Sequence, residues 1–233
     1  MKRVKLFCFP HAGGGASMFK GWQQPLGPRT EVVAVDVAHR ERFPMLRDLV
    51  DEVHRQLYGE LDGPHAFFGH SFGALVAYRL ACRRAVAKLR LPGILVLSSY
   101  AAPHLPPPLP SVEHLDDDLL ATLLTHLGGI PPELGQLPVL RAAATAAARN
   151  DLRLCETDED DAGVVLPCPI HVLGGCDDPL LGEADLDQWR ARTSGRFSVQ
   201  MLPGGHFYLA DQSHLLNVLR PLLSEVAMGN AKC

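Results

Sequence analysis

The stretch FFGHSFGALVAY, residues 67–78, decides how the rest of the chain is read. Two phenylalanines lead into Gly69-His70-Ser71-Phe72-Gly73, and an apolar run at helical spacing follows. A tight turn from strand to helix calls for small residues, because the two segments approach closely. It does not call for a lone hydroxyl between two glycines. Gly-x-Ser-x-Gly at such a junction lifts a serine clear of a sheet in a strained backbone conformation. The next backbone N–H then points at the same space. The stretch therefore predicts a nucleophilic serine at the end of a buried strand.

Outward from this stretch the same alternation repeats. VKLFCF (4–9), EVVAVDV (31–37), HAFFGH (65–70), GILVLSSY (93–100), PIHVLGG (169–175) and FSVQML (197–202) read as strands. ASMFKGWQQPL places Met18, Phe19, Trp22 and Leu26 at helical spacing, with Ser17 as N-cap. PMLRDLVDEVHRQLYGEL (44–61) has one apolar face and Pro44 in its first turn. ALVAYRLACRRA and SHLLNVLRPLLSEV complete the helices, the last kinked or split by Pro221. Continuously apolar strands alternating with helices indicate an α/β fold, with a mainly parallel sheet flanked by helices on both faces. Residues 103–150 break the alternation with PHLPPPLP and further helices. The expectation is one domain over 1–233, with a helical lid insertion at about 103–150. ETDEDDAG (156–163) reads as a solvated acidic loop.

The 233 residues are 47% hydrophobic, enough for one sizeable core. A net charge of −4 gives no electrostatic footprint for nucleic acid or an anionic membrane. No 18-residue apolar run is present, so no membrane-spanning helix is expected. The apolar run near the start is shorter than the roughly 7–15 residues of a signal peptide, which implies a cytoplasmic protein. None of the six cysteines forms a C-x-x-C pair, so reduced thiols are expected, with Cys8 and Cys82 in the core.

A serine hydroxyl needs a base to become a nucleophile at neutral pH. Eleven histidines are available. His70 adjoins Ser71 but points elsewhere and packs. His54, His114, His126 and His214 lie on helix faces, and His171 lies within a strand. His206, in LPGGHFYL, follows the last strand through two glycines, where α/β sheets carry their sites. The orienting acid belongs between serine and histidine, and VLGGCDDPLL offers Asp177 and Asp178. Serine, acid, histidine is the chain order of the α/β-hydrolase fold. Stabilising an oxyanion needs two N–H donors. Phe72 supplies one, and the PHAGGG loop supplies the other through Ala12, with Gly13 as the alternative. HAGGGAS is a poor phosphate loop, because it lacks the lysine and the glycine spacing.

Taken together, LFCFPHAGGGASMFKGW, FFGHSFGALVAYRLA, LSSYAAP, LGGIPPEL, LGGCDDP and LPGGHFYL resemble the type II thioesterases of polyketide and nonribosomal peptide synthesis. The medium-chain thioesterases of fatty acid synthesis are related. The resemblance spans nearly the whole chain. It implies hydrolysis of acyl thioesters on the phosphopantetheine arm of a carrier protein, in an editing role, by a monomer that uses no metal or soluble cofactor. It selects Asp178, just before Pro179, as the acid, with Asp177 as the alternative. Chain release, ester hydrolysis or acyl transfer on the same triad is a second reading, and a non-catalytic carrier-docking protein a third. One departure stands out. The family's Leu-Pro-Gly-Arg-Glu stretch reads VDVAHRERF here, with Ala38-His39 for Pro-Gly, which predicts an altered loop path. The small residues of AAATAAARND are expected to widen the acyl chamber. Arg40, Arg42, Arg83 and Arg84 are candidates for a basic rim facing an acidic carrier.

Overall fold

Strand β1 (Val4–Phe9) shows how the core is laid out. Phe7 and Phe9 enter one apolar cluster, while Val4, Leu6 and Cys8 enter another on the opposite side. This is the two-residue period of a strand buried on both faces. The computed structural model describes residues 3–109, 111–159 and 163–229. Cys233, Pro110 of the proline segment and residues 160–162 of the acidic stretch lie outside them.

Five more strands follow: β2 (Thr30–Ala34), β3 (His65–His70), β4 (Leu95–Ser98), β5 (Ile170–Gly175) and β6 (Phe197–Leu202). The sheet order is β2-β1-β3-β4-β5-β6, and every neighbouring pair is parallel. The chain steps from β1 to one side for β2 and to the other for β3. That reversal leaves a crevice beyond the carboxyl ends of β1 and β3, where α/β sheets bind ligands.

The helices are α1 (Gln23–Leu26), α2 (Leu46–Leu57), α3 (Phe72–Val86), α4 (Asp117–Leu127), α5 (Pro132–Gly135), α6 (Pro138–Glu156), α7 (Glu183–Asp187) and α8 (Gln212–Met228). Residues of α2, α3 and α7 cover the Phe7 side of the sheet, and those of α1 and α8 cover the other. Helices α4 and α6, between β4 and β5 in sequence, share a small core of Leu120, Leu124, Ile130 and Ala148. No helix among the described residues is long and apolar enough to cross a membrane. Cys8, Cys82 and Cys168 are buried, and they, Cys155 and Cys176 are free thiols.

Several local expectations are corrected. ASMFKGWQQPL is not one helix: a 3-10 turn over Ala16–Phe19 and α1 are separated at Gly21, whose φ is +89°. Ser17 caps nothing, and Gly15 holds the N-cap position. Phe19 and Trp22 still reach the core, 5.1 Å apart and edge-on. Pro44 precedes α2, whose N-cap is Met45. Pro221 neither ends nor splits α8, which runs unbroken to Met228. Its ring lies on the exposed side, where the carbonyl left without a donor can face water, while Leu215, Leu219 and Leu223 hold the buried side. The acidic stretch is not simply solvated. Asp158 receives two hydrogen bonds of 2.6 Å from Arg79.

The VDVAHRERF loop turns at His39. His39, at the glycine position of the family stretch, adopts φ +57° and ψ +47°, the left-handed conformation that glycine favours. The loop therefore keeps a glycine-like turn with a side chain on it. Its imidazole is exposed and touches only Glu41, at 3.1 Å, a pair worth little.

Two predictions follow from these backbone and burial facts. His39→Gly removes a left-handed penalty of about 1–2 kcal/mol and adds a glycine entropy cost of about 0.5–1 kcal/mol. The expected outcome is a slight stabilisation, read as a rise in thermal midpoint of roughly 1–4 °C. The second concerns three histidines. Burial lowers the pKa of His65 and of His11 to about 4, and holds His70 well below its ordinary value. The unfolded chain binds these protons and the folded chain does not. Folding is therefore unpenalised by these groups above about pH 6.5, and stability falls as pH drops toward 4. Denaturant melts between pH 7 and 4 should show this loss. A flat profile would contradict it.

Candidate active site

The serine turn is built by close approach. A Cβ on Gly69 would lie 2.2 Å from the Gly73 carbonyl oxygen, and one on Gly73 would lie 2.1 Å from that of Phe9. Only glycine allows β3, α3 and β1 to meet this way. Between the two glycines, Ser71 has φ +54° and ψ −123°, a conformation that costs about 1–3 kcal/mol for a residue with a side chain. Its N–H donates to the Ser98 carbonyl at 2.7 Å, which ties the turn to β4.

His206 arrives from the far side. β6 ends, Gly204 takes φ +114°, and the imidazole comes to rest with 6% of its side chain exposed. Its Nδ1 lies 2.8 Å from Asp178 Oδ2, and its Nε2 lies 3.2 Å from Ser71 Oγ. The carboxylate accepts from Nδ1–H, which leaves Nε2 as the acceptor for the serine proton. The other Asp178 oxygen accepts from the Leu180 N–H at 2.9 Å. Asp177 is exposed, and its backbone N–H donates to the Gly204 carbonyl. The structure thus brings Ser71, His206 and Asp178 together and leaves Asp177 outside. Gly175 makes this possible, since a Cβ there would lie 2.1 Å from the Gly205 oxygen.

Phe72 opens α3, so its N–H is among those without an intrahelical acceptor. Ala12, Ser71 and Phe72 line the same cavity. The alternative donor, Gly13, is already engaged, because its N–H donates to Asp151 Oδ2 at 2.8 Å.

The cavity, of about 100 Å³, is walled chiefly by apolar groups. Leu124 and Leu127 of α4, Leu152 and Cys155 of α6, and Phe207 line it together with Ser71. The alanines of α6 do not line it, contrary to the expectation of a widened chamber. One of them, Ala148, meets the glycine loop instead: its backbone nitrogen lies 3.0 Å from where a Gly13 Cβ would sit.

Several residues of this site were not singled out from the sequence. His11 lines the cavity, its ring 4.7 Å from Phe207 and edge-on to it. Burial, then His206 and Arg40, keep it neutral. His70 packs as expected, and its Nδ1 is 2.8 Å from Ser98 Oγ, which is 2.6 Å from the Tyr208 hydroxyl. This chain runs behind His206, whose ring centroid is 5.4 Å from that of His70. PHAGG and GGHFY already placed His11 and Tyr208 beside the motifs, but nothing in the sequence said which way they point.

The remaining candidates lie elsewhere. His114, His126 and His214 are exposed, whereas His54 is buried beside Arg83 and Arg84. His171 bonds Ser198 across the sheet at 2.5 Å. The basic rim is not assembled as expected. Arg84 is 1% exposed and donates to the carbonyls of Arg90 and Leu61. Arg83 pairs with Asp51. Arg40 turns inward to the Gly14 carbonyl and Asp151, and Arg42 stacks on Phe43. Each of these four side chains has a partner within the protein. Among the described residues, no group of three or more His, Cys, Asp or Glu could hold a metal ion.

Comparison with known proteins agrees with this geometry. The family described as Thioesterase domain matches residues 4–224. The chain is 34% identical to thioesterase PikA5 of Streptomyces venezuelae, over 91% of this chain and 77% of that protein. It is 32% identical to the human medium-chain S-acyl fatty acid synthase thioesterase, over 90% of this chain and 82% of that protein. The solved type II thioesterase BorB of the borrelidin biosynthetic cluster superposes with a TM-score of 0.85 at 32% identity, covering 95% of this chain and 93% of that one. The parallel six-stranded sheet is that of the α/β-hydrolase-type thioesterases, and the chain belongs to the thioesterase family.

Proposed function

We propose that this thioesterase hydrolyses acyl groups from the phosphopantetheine arm of carrier proteins in polyketide or nonribosomal peptide synthesis, in an editing role, as a monomer. One observation carries the chemistry: Ser71 Oγ, His206 and Asp178 linked at 3.2 and 2.8 Å, with Ser71 and His206 lining an apolar cavity. Relatives that work in such pathways support the substrate class.

In this mechanism Ser71 attacks the thioester carbonyl while His206 Nε2 takes the hydroxyl proton. Asp178 accepts from Nδ1–H and stabilises the imidazolium that forms. The Phe72 and Ala12 amides receive the oxyanion. The tetrahedral adduct expels the pantetheine thiolate, which takes the proton from His206. Water then attacks the acyl-serine, with His206 again as base, and releases the free acid and Ser71. Helices α4 and α6 act as a lid that shields the acyl chain from water, and the leucines lining the cavity are its apolar wall. Neutral His11 and His70 leave His206 as the group in the cluster that is paired with a carboxylate.

The test is intact-protein mass spectrometry of carrier proteins loaded with short and long acyl chains. Loss of acyl mass with the native protein, and none with Ser71→Ala, is the expected result. Asp178→Asn should lower kcat by about 10⁴-fold, as expected when the wrong tautomer faces the serine. Asp177→Asn should leave kcat unchanged. Loss confined to one elaborate chain would indicate product release instead. Faster turnover of simple esters than of every carrier-bound acyl group would overturn the thioesterase substrate.

A further inference from the structure

The loop that presents the Ala12 amide is held by a carboxylate from the inserted helices. Asp151 lies on α6 and is 1% exposed. A carboxylate buried this deeply is stable only when paired and hydrogen-bonded. Asp151 Oδ2 accepts from the Gly13 N–H at 2.8 Å and lies 3.0 Å from Arg40 Nη2. The same Arg40 nitrogen donates to the Gly14 carbonyl at 2.8 Å. Two successive glycines are thus fixed from outside their own turn.

The turn itself explains why this matters. The Gly14 N–H donates to the His11 carbonyl at 2.9 Å, and Gly13 takes φ +75°, so residues 11–14 form a tight turn with a left-handed third residue. In such a turn the central peptide can flip at small energetic cost. The Gly13 N–H belongs to the peptide joining Ala12 and Gly13. Binding it to Asp151 fixes that plane, and with it the neighbouring amide of Ala12, a residue that lines the same cavity as Ser71. Ala148 and Asp151 are three residues apart and share one face of α6. Ala148 packs about 3.0 Å from the Gly13 Cβ position, so the helix seats directly on the turn. One turn further along, Leu152 and Cys155 line the acyl cavity.

We propose that Asp151, supported by Arg40, is a positioning residue that holds the Ala12 amide in its oxyanion-binding orientation and thereby couples the inserted helices to catalysis. This rests on the thioesterase mechanism given above. It also accounts for an arginine in VDVAHRERF that faces inward, away from any carrier: Arg40 is only 14% exposed. Burial raises the Asp151 pKa, while Arg40 and the Gly13 amide oppose that rise.

The experiment compares native protein with Asp151→Ala and Asp151→Asn, using an acyl-coenzyme A thioester and an acyl trifluoromethyl ketone that forms a tetrahedral adduct with serine. Asp151→Ala should lower kcat by about 10²–10³-fold, the range for loss of one oxyanion donor, with KM changed less than about threefold. Affinity for the trifluoromethyl ketone should fall by a similar factor. Asp151→Asn keeps an oxygen that can accept from Gly13, and should recover at least tenfold of the lost kcat. A buried ion pair that merely stabilises the fold would lower the melting temperature and leave kcat and ketone affinity of the folded fraction intact, and that result would overturn the proposal. If Asp151→Ala does not fold, Asp151→Leu, which fills the site without an acceptor, takes its place: a loss in kcat and ketone affinity supports the role, and unchanged values or a change in KM only refute it. Absence of thioester turnover by the native protein would instead remove the thioesterase mechanism, and this role with it.

Discussion

The absence of two Cβ atoms, at Gly69 and Gly73, is the constraint on which the molecule depends. With 2.2 and 2.1 Å between the missing atoms and neighbouring carbonyl oxygens, any larger residue would push β3, α3 and β1 apart. That approach puts Ser71 into a conformation it would otherwise avoid. The strain persists because both faces of β3 are locked in apolar cores, with Phe67 on one side and Phe68 on the other. Core packing and nucleophile geometry are therefore one structural fact seen from two ends.

The electrostatics of the site follow from burial. Three histidines converge near the serine, and burial disfavours charge on all of them. His11 and His70 have no carboxylate partner and stay neutral. His206 alone of the three meets an acid, Asp178, whose side chain is fully enclosed. Of the three imidazoles, one is thus paired with a carboxylate and two are not.

Much of this was legible in the sequence, for local reasons. The β3 elbow, the two glycines before His206 and the Asp-Asp-Pro turn each combine a backbone requirement with a chemical group. Such combinations survive the move from sequence to structure. What went wrong was also local reading, where tertiary context outweighed propensity. Pro221 sits in an unbroken helix because the leucine face of α8 is anchored on the sheet. The ASMFKGWQQPL helix breaks at Gly21 so that Phe19 and Trp22 can both enter the core. His39 takes a glycine conformation next to Arg40, which is drawn inward to Asp151 and the Gly14 carbonyl.

By itself the sequence determined the α/β class, the order of its elements and the identity of serine, histidine and a pair of possible acids. Period, glycine placement and chain order encode these directly, since each is a property of neighbours along the chain. Only the tertiary structure brought Asp178 rather than Asp177 against His206, engaged the Gly13 amide with Asp151, and turned Arg40 from the surface toward Asp151. Those choices depend on which groups meet across the chain, over 28 residues for Asp178 and His206 and 138 for Gly13 and Asp151, and are fixed by packing and by the need to pair buried charges.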